Sequence, residues 1–300
     1  MRPLAIRTAT LRPDVALTFD IYLLISGKHL LYVKRSDQLE RLRLEKLKEK
    51  NVRQVFIDDN DKGAYFDFLD SAAKSALEST GTPLDARVGV IAGQSAAALE
   101  ELFADPRPRE NYERTRLAAA NQVSLLLRHP EALEHVIAIA KYDRTVYQHS
   151  VNVAAIAVAL GAAVGAPLET CNALGLGALM HDLGKSPAAT SSATEGTPHE
   201  QHPRLGASLL LGKKYVSQDV LDIILLHEER IDGKGYPAGV KKLSQIFQVV
   251  GLANMYDRSV TIEGQEPRAA YDAIAKLMPA PYDERLIAGL KDVLSANRIY

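Results

Sequence analysis

The chain has 300 residues, of which 47% are hydrophobic, and this length and apolar content predict two domains with separate cores. Lys and Arg number 36 against 37 for Asp and Glu, a balance that argues against duplex nucleic acid or an anionic membrane as the main partner. With a single cysteine, no secretory-signal pattern and no run of roughly 18 uncharged apolar residues, we expect a cytoplasmic protein without a disulfide or a membrane span.

The first 75 residues alternate between strand and helix patterns. Residues 17–34 alternate apolar and polar side chains on both sides of a Ser-Gly turn, which predicts a β-hairpin. Ser36 is placed to cap the charged helix that follows, and residues 52–57 predict a third strand. We therefore predict a small α+β domain over residues 1–75. It has no paired carboxylates, cysteine cluster or glycine-rich phosphate loop, so a regulatory or packing role is favoured, with ligand sensing as the alternative.

The remainder of the chain is predicted to be helical. Residues 76–109 predict a helical connector that ends in a linker with two prolines, Asp105-Pro106-Arg107-Pro108. Residues 110–300 predict a helical domain, with helices over residues 110–128, 131–141, 146–164, 168–182, 203–213, 218–229, 244–258, 267–277 and 283–297. Two stretches rich in Gly, Ser or Pro, 186–201 and 231–243, are predicted to be loops.

The histidines are concentrated in this helical part. Seven of the eight lie between residues 129 and 227. A lone histidine on an apolar helix face is usually a satisfied core residue, but four of these share apolar settings or helix ends near acidic residues: His149, His181, His202 and His227. A buried carboxylate is costly unless it is paired or binds a metal, so the adjacent His181 and Asp182 indicate a metal site.

The pairs His181-Asp182 and His227-Glu228 suggest more than one cation. A carboxylate can bridge two metal ions while imidazoles fill the outer positions, a donor mixture that favours iron, manganese or zinc over magnesium or calcium. Two such ions lower the pKa of a water and hold the attacking and leaving oxygens of a displacement at phosphorus. Lys185 follows one turn after His181, where its ammonium can meet a phosphate oxygen; the alternative is a surface lysine.

Together these residues resemble the HD-GYP domains, a bacterial branch of the HD phosphohydrolase superfamily associated with hydrolysis of the second messenger cyclic di-GMP. The resemblance spans about residues 140–260. Its parts, in order, are His149-Ser150-Val151-Asn152-Val153, His181-Asp182-Leu183-Gly184-Lys185, His202-Pro203 and Asp232-Gly233-Lys234-Gly235-Tyr236-Pro237. An adjacent His and Asp are common in unrelated chains, but followed by DGKGYP at this distance they are specific for the family.

The resemblance implies a mainly α fold, an HD-type helical bundle over residues 110–300 after the small N-terminal α+β domain. It also implies two or three divalent metal ions, with iron or manganese favoured and zinc as the alternative. The implied ligands are His149, His181, Asp182, His202 and His227. Lys185 would contact the substrate phosphate and act with Asp182 in catalysis, and Gly235, Tyr236 and Pro237 would shape the substrate pocket, where Tyr236 either stacks on a base or packs.

The implied activity is that of a phosphodiesterase in which a metal-bound hydroxide attacks phosphorus in a cyclic dinucleotide, most simply cyclic di-GMP. The chain departs from the family pattern at two ligand positions, where Glu228 replaces a histidine and Asn254 replaces an aspartate. The carboxylate gained at 228 offsets the one lost at 254, which predicts a rearranged site that binds metal through both residues. The alternative is a catalytically weak or inactive signalling module that binds nucleotide or a partner protein. A third hypothesis is an HD phosphohydrolase for another nucleotide.

Overall fold

The computed structural model describes residues 1–13, 15–139, 143–190 and 198–300. The chain divides into two units, Met1–Ala97 and Ala98–Tyr300, with the boundary inside one long helix. The division predicted from the sequence, into residues 1–75, 76–109 and 110–300, stays a prediction.

The first unit combines an antiparallel sheet with helices. Its strands are β1 (Pro3–Arg7), β2 (Ile21–Ile25), β3 (Lys28–Val33) and β4 (Gln54–Asp58), in the spatial order β1-β4-β2-β3. Its helices are α1 (Arg41–Glu49), α2 (Lys62–Glu78) and the first part of α3 (Leu84–Ala104). Buried apolar residues of the sheet, of the helices and of the segments between them form its core, in which the ring of Phe19 lies edge-on to Tyr65 with centroids 5.8 Å apart.

The predicted hairpin is confirmed, but the expected helix cap is wrong and one strand was not predicted. β2 and β3 are joined by Ser26 and Gly27, whose positive φ angles of 50° and 76° match the right-handed twist of a two-residue hairpin. Ser36 does not cap a helix, because its φ is 70° and α1 begins only at Arg41. The strand β1, which pairs with β4, was not predicted.

The second unit is helical. After the end of α3 its helices are α4 (Arg109–Arg128), α5 (Ala132–Ile139), α6 (Val146–Ala163), α7 (Leu168–Met180), α8 (Pro187–Thr190), α9 (Pro198–Leu210), α10 (Gln218–Leu226), α11 (Gln245–Asp257), α12 (Pro267–Ala275) and α13 (Glu284–Ala296). A 3-10 turn, Leu183–Lys185, follows α7, and a π-helical turn, Arg258–Ile262, follows α11. The last residues of the predicted helix 131–141 lie outside the described residues.

Helices α6 and α7 form the centre of this unit. α6 packs against α4, α5, α7, α11 and α13, and α7 also packs against α4 and α10. Glycines on α7 allow these close approaches: a Cβ at Gly177 would lie 2.7 Å from a methyl carbon of Ile223 on α10. The predicted ligands carried by α6 and α7 are therefore held by neighbouring helices on several sides.

Among the described residues, α6 is the one helix that meets the length and hydropathy criteria for a membrane span, and 72% of its 18 residues are buried inside the structure. A central core helix of a helical domain meets the same criteria. The criterion is therefore weak evidence for a span.

The backbone of the 3-10 turn touches α9 directly. A Cβ at Gly184 would lie 1.8 Å from the carbonyl oxygen of His202, so only glycine permits this approach. α9 begins at Pro198 rather than at residue 203 as predicted, and Pro203 lies inside it. Of the predicted loop 186–201, residues 187–190 form α8, and residues 191–197 lie outside the described residues.

Candidate metal centre

Five helices bring the predicted metal ligands together. His149 lies on α6, His181 and Asp182 follow α7, His202 lies on α9, His227 follows α10 and Asn254 lies on α11. The four histidines and Asp182 are at most 4% exposed. Each ligand-bearing helix end or face is thus directed to one buried point of the bundle.

The donors form two groups that could each hold a metal ion. One comprises His149, His181 and Asp182, the other Asp182, His202 and His227, and within each group the donor atoms lie within 4.8 Å of one another. Asp182 belongs to both groups. Its Oδ2 lies 3.5 Å from His181 Nε2, and its Oδ1 lies 3.2 Å from His202 Nε2. The carboxylate therefore presents one oxygen to each group, as a bridging ligand does.

Hydrogen bonds to backbone carbonyls orient two of the histidines so that Nε2 faces the centre. His181 Nδ1 donates to the carbonyl oxygen of Ala178 at 2.7 Å, and His227 Nδ1 donates to that of Ile224 at 2.9 Å, so each Nε2 carries a lone pair. Among the described residues, His181 Nε2 and Asp182 Oδ1 are buried without a hydrogen-bond partner. Since buried polar atoms are costly when unpaired, these two atoms fit metal coordination.

The group of Asp182, His202 and His227 is tightly convergent. The Nε2 atoms of His202 and His227 are 2.9 Å apart, and His227 Nε2 lies 3.9 Å from Asp182 Oδ1. Two imidazole nitrogens and a carboxylate oxygen directed to one point are a donor set for a divalent transition metal.

The two residues that depart from the family pattern are in contact. Asn254 Nδ2 donates to Glu228 Oε1 at 3.3 Å, and that oxygen lies 3.8 Å from His227 Nε2 and 4.0 Å from His202 Nε2. Asn254 Oδ1 in turn faces His149 Nε2 at 3.1 Å. The carboxylate at 228 and the amide at 254 thus connect the two groups of donors.

Burial and charge set the protonation of the centre. Burial lowers the pKa of His181 and of His227 to about 3 in each case. Burial raises the pKa of Asp182, but the imidazoles of His181 and His202 and the ammonium of Lys185 outweigh it and hold that pKa well below its usual range. His181 and His227 are therefore neutral and Asp182 is ionised at neutral pH, the states in which these side chains bind metal. Burial lowers the pKa of His149, but the hydrogen bond to and the charge of Asp257 outweigh it and raise that pKa.

Lys185 lies at the edge of the centre. Its ammonium donates to Asp182 Oδ2 at 2.8 Å, and its side chain is 37% exposed. A cation that is fixed by a buried ligand on one side and open to solvent on the other is placed to meet an anionic substrate.

The predicted substrate residues lie on the loop between α10 and α11. A Cβ at Gly235 would lie 2.4 Å from the backbone nitrogen of Arg230, so the loop folds back on itself only with glycine there. Burial, together with the charge of and a hydrogen bond to Glu228, raises the pKa of Tyr236. The Tyr236 ring packs at 6.1 Å from the His202 ring, and the carbonyl oxygen of Pro237 accepts a hydrogen bond from Arg204 at 3.0 Å.

Sequence reasoning missed two buried carboxylates. Glu229, which is fully buried, accepts hydrogen bonds from the backbone nitrogens of Ala238, Gly239 and Val240 at 2.6, 3.2 and 3.0 Å. Backbone partners leave no sequence signal. Asp257 accepts a hydrogen bond from His149 at 2.7 Å, and its spacing of three residues from Asn254 on one helix face was a signal that could have identified it.

Comparison with known proteins agrees with this geometry. The HD domain family model matches residues 146–278. A cyclic di-GMP phosphodiesterase, PA4108 of Pseudomonas aeruginosa, is 30% identical over 240 residues. These residues are 71% of this chain and 57% of the relative, so the chain spans little more than half of that protein's length.

A solved structure resembles nearly the whole chain. Bd1817 of Bdellovibrio bacteriovorus, described as an HDG"Y"P protein, superimposes with a TM-score of 0.81 at 30% sequence identity. The match covers 98% of this chain and 99% of that one. It confirms the predicted fold class, a mainly α protein with an HD-type helical bundle and a small N-terminal α+β domain. The chain belongs to the HD-GYP family.

Proposed function

We propose that this chain is a metal-dependent phosphodiesterase that hydrolyses a cyclic dinucleotide, specifically cyclic di-GMP. One observation carries the proposal: two groups of buried imidazoles share one carboxylate, and two of their donor atoms are left without another partner. The name of the Pseudomonas relative supports the choice of substrate.

The chain's own residues would divide the work as follows. His149, His181, Asp182, His202 and His227 hold two divalent ions, and Glu228 with Asn254 completes the set between the two groups. Imidazole with carboxylate favours iron or manganese, with zinc as the alternative. Such ions, when bound, lower the pKa of water and polarise a phosphate.

The remaining polar groups act on the substrate. Lys185 contacts the phosphate that is attacked and stabilises the negative charge that develops on its oxygens. Gly235, Tyr236 and Pro237 form one wall of the pocket, and because Tyr236 already packs near His202, its ring limits how far a guanine base can enter.

The test begins with metal content. After anaerobic purification with iron and manganese supplied, we expect about two metals per chain, because two donor groups are present. Loaded protein should release the linear dinucleotide or GMP from cyclic di-GMP. Asp182→Asn should lose both metals and activity, whereas Asp292→Asn, an exposed carboxylate on α13, should change neither.

The neutral amide at 254 favours one competing function, a module that binds the nucleotide without cleaving it and signals to a partner protein. That function would be supported if loaded protein binds cyclic di-GMP but releases no product, and if Asn254→Asp combined with Glu228→His restores release. Less than one metal per chain would contradict the rearranged site itself.

A further inference from the structure

Asp257 is the residue behind His149. It ends α11, is 1% exposed, and its Oδ2 accepts a hydrogen bond from His149 Nδ1 at 2.7 Å. With Nδ1 bonded to Asp257, the ring turns Nε2 toward the metal centre, where it lies 3.1 Å from Asn254 Oδ1. Asp257 therefore fixes both the tautomer and the orientation of the ring.

The second carboxylate oxygen of Asp257 also accepts hydrogen bonds. Its Oδ1 accepts from Asn152 Nδ2 at 3.0 Å and from Thr261 Oγ1 at 2.9 Å. Gln148 Nε2 donates to Asn152 Oδ1 at 2.8 Å, which fixes the orientation of the Asn152 amide. His149, Asn152 and Thr261 each direct a donor at the Asp257 carboxylate, an arrangement that suits an anion.

Two elements supply this network. Gln148 and Asn152 flank His149 on α6, and Thr261 belongs to the π-helical turn after α11. π-helical turns are rare and frequently occur at functional sites. Here the turn places a hydroxyl four residues beyond Asp257 against the carboxylate.

Asp257 and Asn254 contact the same histidine from opposite sides of its ring. His181 and His227 donate their Nδ1 protons to backbone carbonyls, whereas His149 donates to a carboxylate. His149 is also the ring whose Nε2 faces the neutral amide of Asn254, at 3.1 Å. A carboxylate behind an imidazole makes that imidazole a more basic ligand.

We propose that Asp257 is a positioning residue for His149 and that it provides, through the ring, the negative charge that Asn254 does not give to this half of the centre. The proposal rests on the metal-dependent function above. It assigns the metal affinity of the His149 group to a carboxylate that does not touch the metal.

The experiment measures metal affinity in the full chain by competition with a chelator. Asp257→Asn keeps the shape of the side chain and removes the charge. It should weaken one metal by roughly 10- to 100-fold, the range for loss of an outer carboxylate, and leave the metal of the Asp182, His202 and His227 group unchanged. Asp292→Asn on α13 removes an exposed carboxylate and should change neither affinity.

A second substitution that restores metal affinity distinguishes a loss of charge from a defect in folding. Adding Asn254→Asp to Asp257→Asn returns a carboxylate to this half of the centre and should recover most of the lost affinity, which a merely structural defect would not do. With Co²⁺ as the probe, the visible spectrum of the weakened site should change in Asp257→Asn and return toward that of wild type in the double variant.

Equal affinities and spectra in wild type and Asp257→Asn would overturn the role of Asp257. If Asp257→Asn does not fold, Thr261→Val removes one bond to the carboxylate, and it should weaken the same single metal by a smaller factor; no change there would overturn the role as well. Wild-type protein that binds fewer than two metals would instead contradict the proposed two-metal function.

Discussion

The histidines of the metal centre differ in what holds their Nδ1 protons, and this difference sets the chemistry at the scale of single residues. His181 and His227 use carbonyls of their own helices, three residues back, so the helix geometry alone orients them. His149 depends on a carboxylate from another helix. The first two ligands were predictable from local sequence, whereas the partner of His149 lies 108 residues away and depends on the tertiary fold.

The pH dependence of stability belongs to this scale. In metal-free protein, burial lowers the pKa of His181 and His227 to about 3, below the value of about 6.5 in an unfolded chain. Between these two pKa values the unfolded chain binds more protons than the folded chain. The contribution of the two histidines to the free energy of unfolding is therefore full above about pH 6.5 and is lost as the pH falls toward 3. The loss reaches up to about 1.4 kcal/mol per pH unit for each histidine. Urea unfolding of metal-free protein between about pH 7.5 and pH 5 measures this.

The control for the pH dependence is the double variant His181→Gln with His227→Gln. It removes both buried imidazoles and should show a flatter dependence of the free energy of unfolding on pH. An unchanged slope would mean that other groups are responsible.

Gly184→Ala tests the contact between the 3-10 turn and α9. Because the added Cβ would lie 1.8 Å from a backbone oxygen of a ligand-bearing residue, the two segments must separate. We expect the free energy of unfolding to fall by about 1–3 kcal/mol and metal binding to weaken. Gly89→Ala on α3, where an added Cβ meets nothing within 4 Å, should be neutral or slightly stabilising. Equal effects of the two substitutions would contradict this explanation.

At the scale of secondary structure, apolar periodicity located most helices of the second unit. Helices α6, α10 and α13 lie within a few residues of their predicted bounds, because α10 and α13 bury faces that repeat at helical spacing and α6 is a long, largely apolar segment. The start of α9 was missed because a proline usually marks the first turn of a helix, yet Pro203 lies inside this one. β1 was missed because it is short and its partner β4 is distant in the sequence.

The loop between α10 and α11 was also predicted only in part. Its glycines and proline indicated a turn near a ligand, but the anchor that orders it, Glu229, was not predicted. Three backbone amides converge on this buried carboxylate. Glu229 is one of three consecutive charged residues, Glu228-Glu229-Arg230, and the sequence does not indicate which of them is buried.

Glu229→Gln tests this anchor. The change replaces one acceptor oxygen by a donor and removes the charge, and hydrogen bonds to a charged group contribute about 1.5–3 kcal/mol each. We expect hydrogen exchange at the amides of residues 238–240 to accelerate by at least about tenfold, and KM for cyclic di-GMP to rise while metal content stays constant. Glu228→Gln, the adjacent variant, should lower metal content without changing exchange at these amides. Unchanged exchange in Glu229→Gln would exclude the anchoring role.

At the scale of the whole molecule, every predicted ligand lies in the unit Ala98–Tyr300, although the ligands come from positions spread over more than 100 residues of sequence. A metal bound there would therefore join five helices of one unit at a single point. The unit Met1–Ala97 has its own apolar core and contributes none of the predicted ligands. Its role in regulation stays a prediction.

Removal of metal should consequently lower the stability of the protein. Ligand linkage stabilises the folded state by about 2.7 kcal/mol for each site at a free metal concentration 100 times Kd. Calorimetry with and without a chelator should show a clear fall in Tm for wild type. Since Asp182 belongs to both donor groups, Asp182→Asn should abolish the difference, whereas His202→Gln should remove only part of it. An undiminished difference in Asp182→Asn would contradict a shared ligand.

The contact between Lys185 and Asp182 has a consequence for how the two parts of the site depend on each other. The ammonium donates to Oδ2, the oxygen that faces His181. Because an ammonium carries three donors, Lys185 can keep this bond while its exposed side meets a second anion. The position of that second anion would then be tied to Asp182, the carboxylate common to both donor groups, so a change that displaces Asp182 should displace both together.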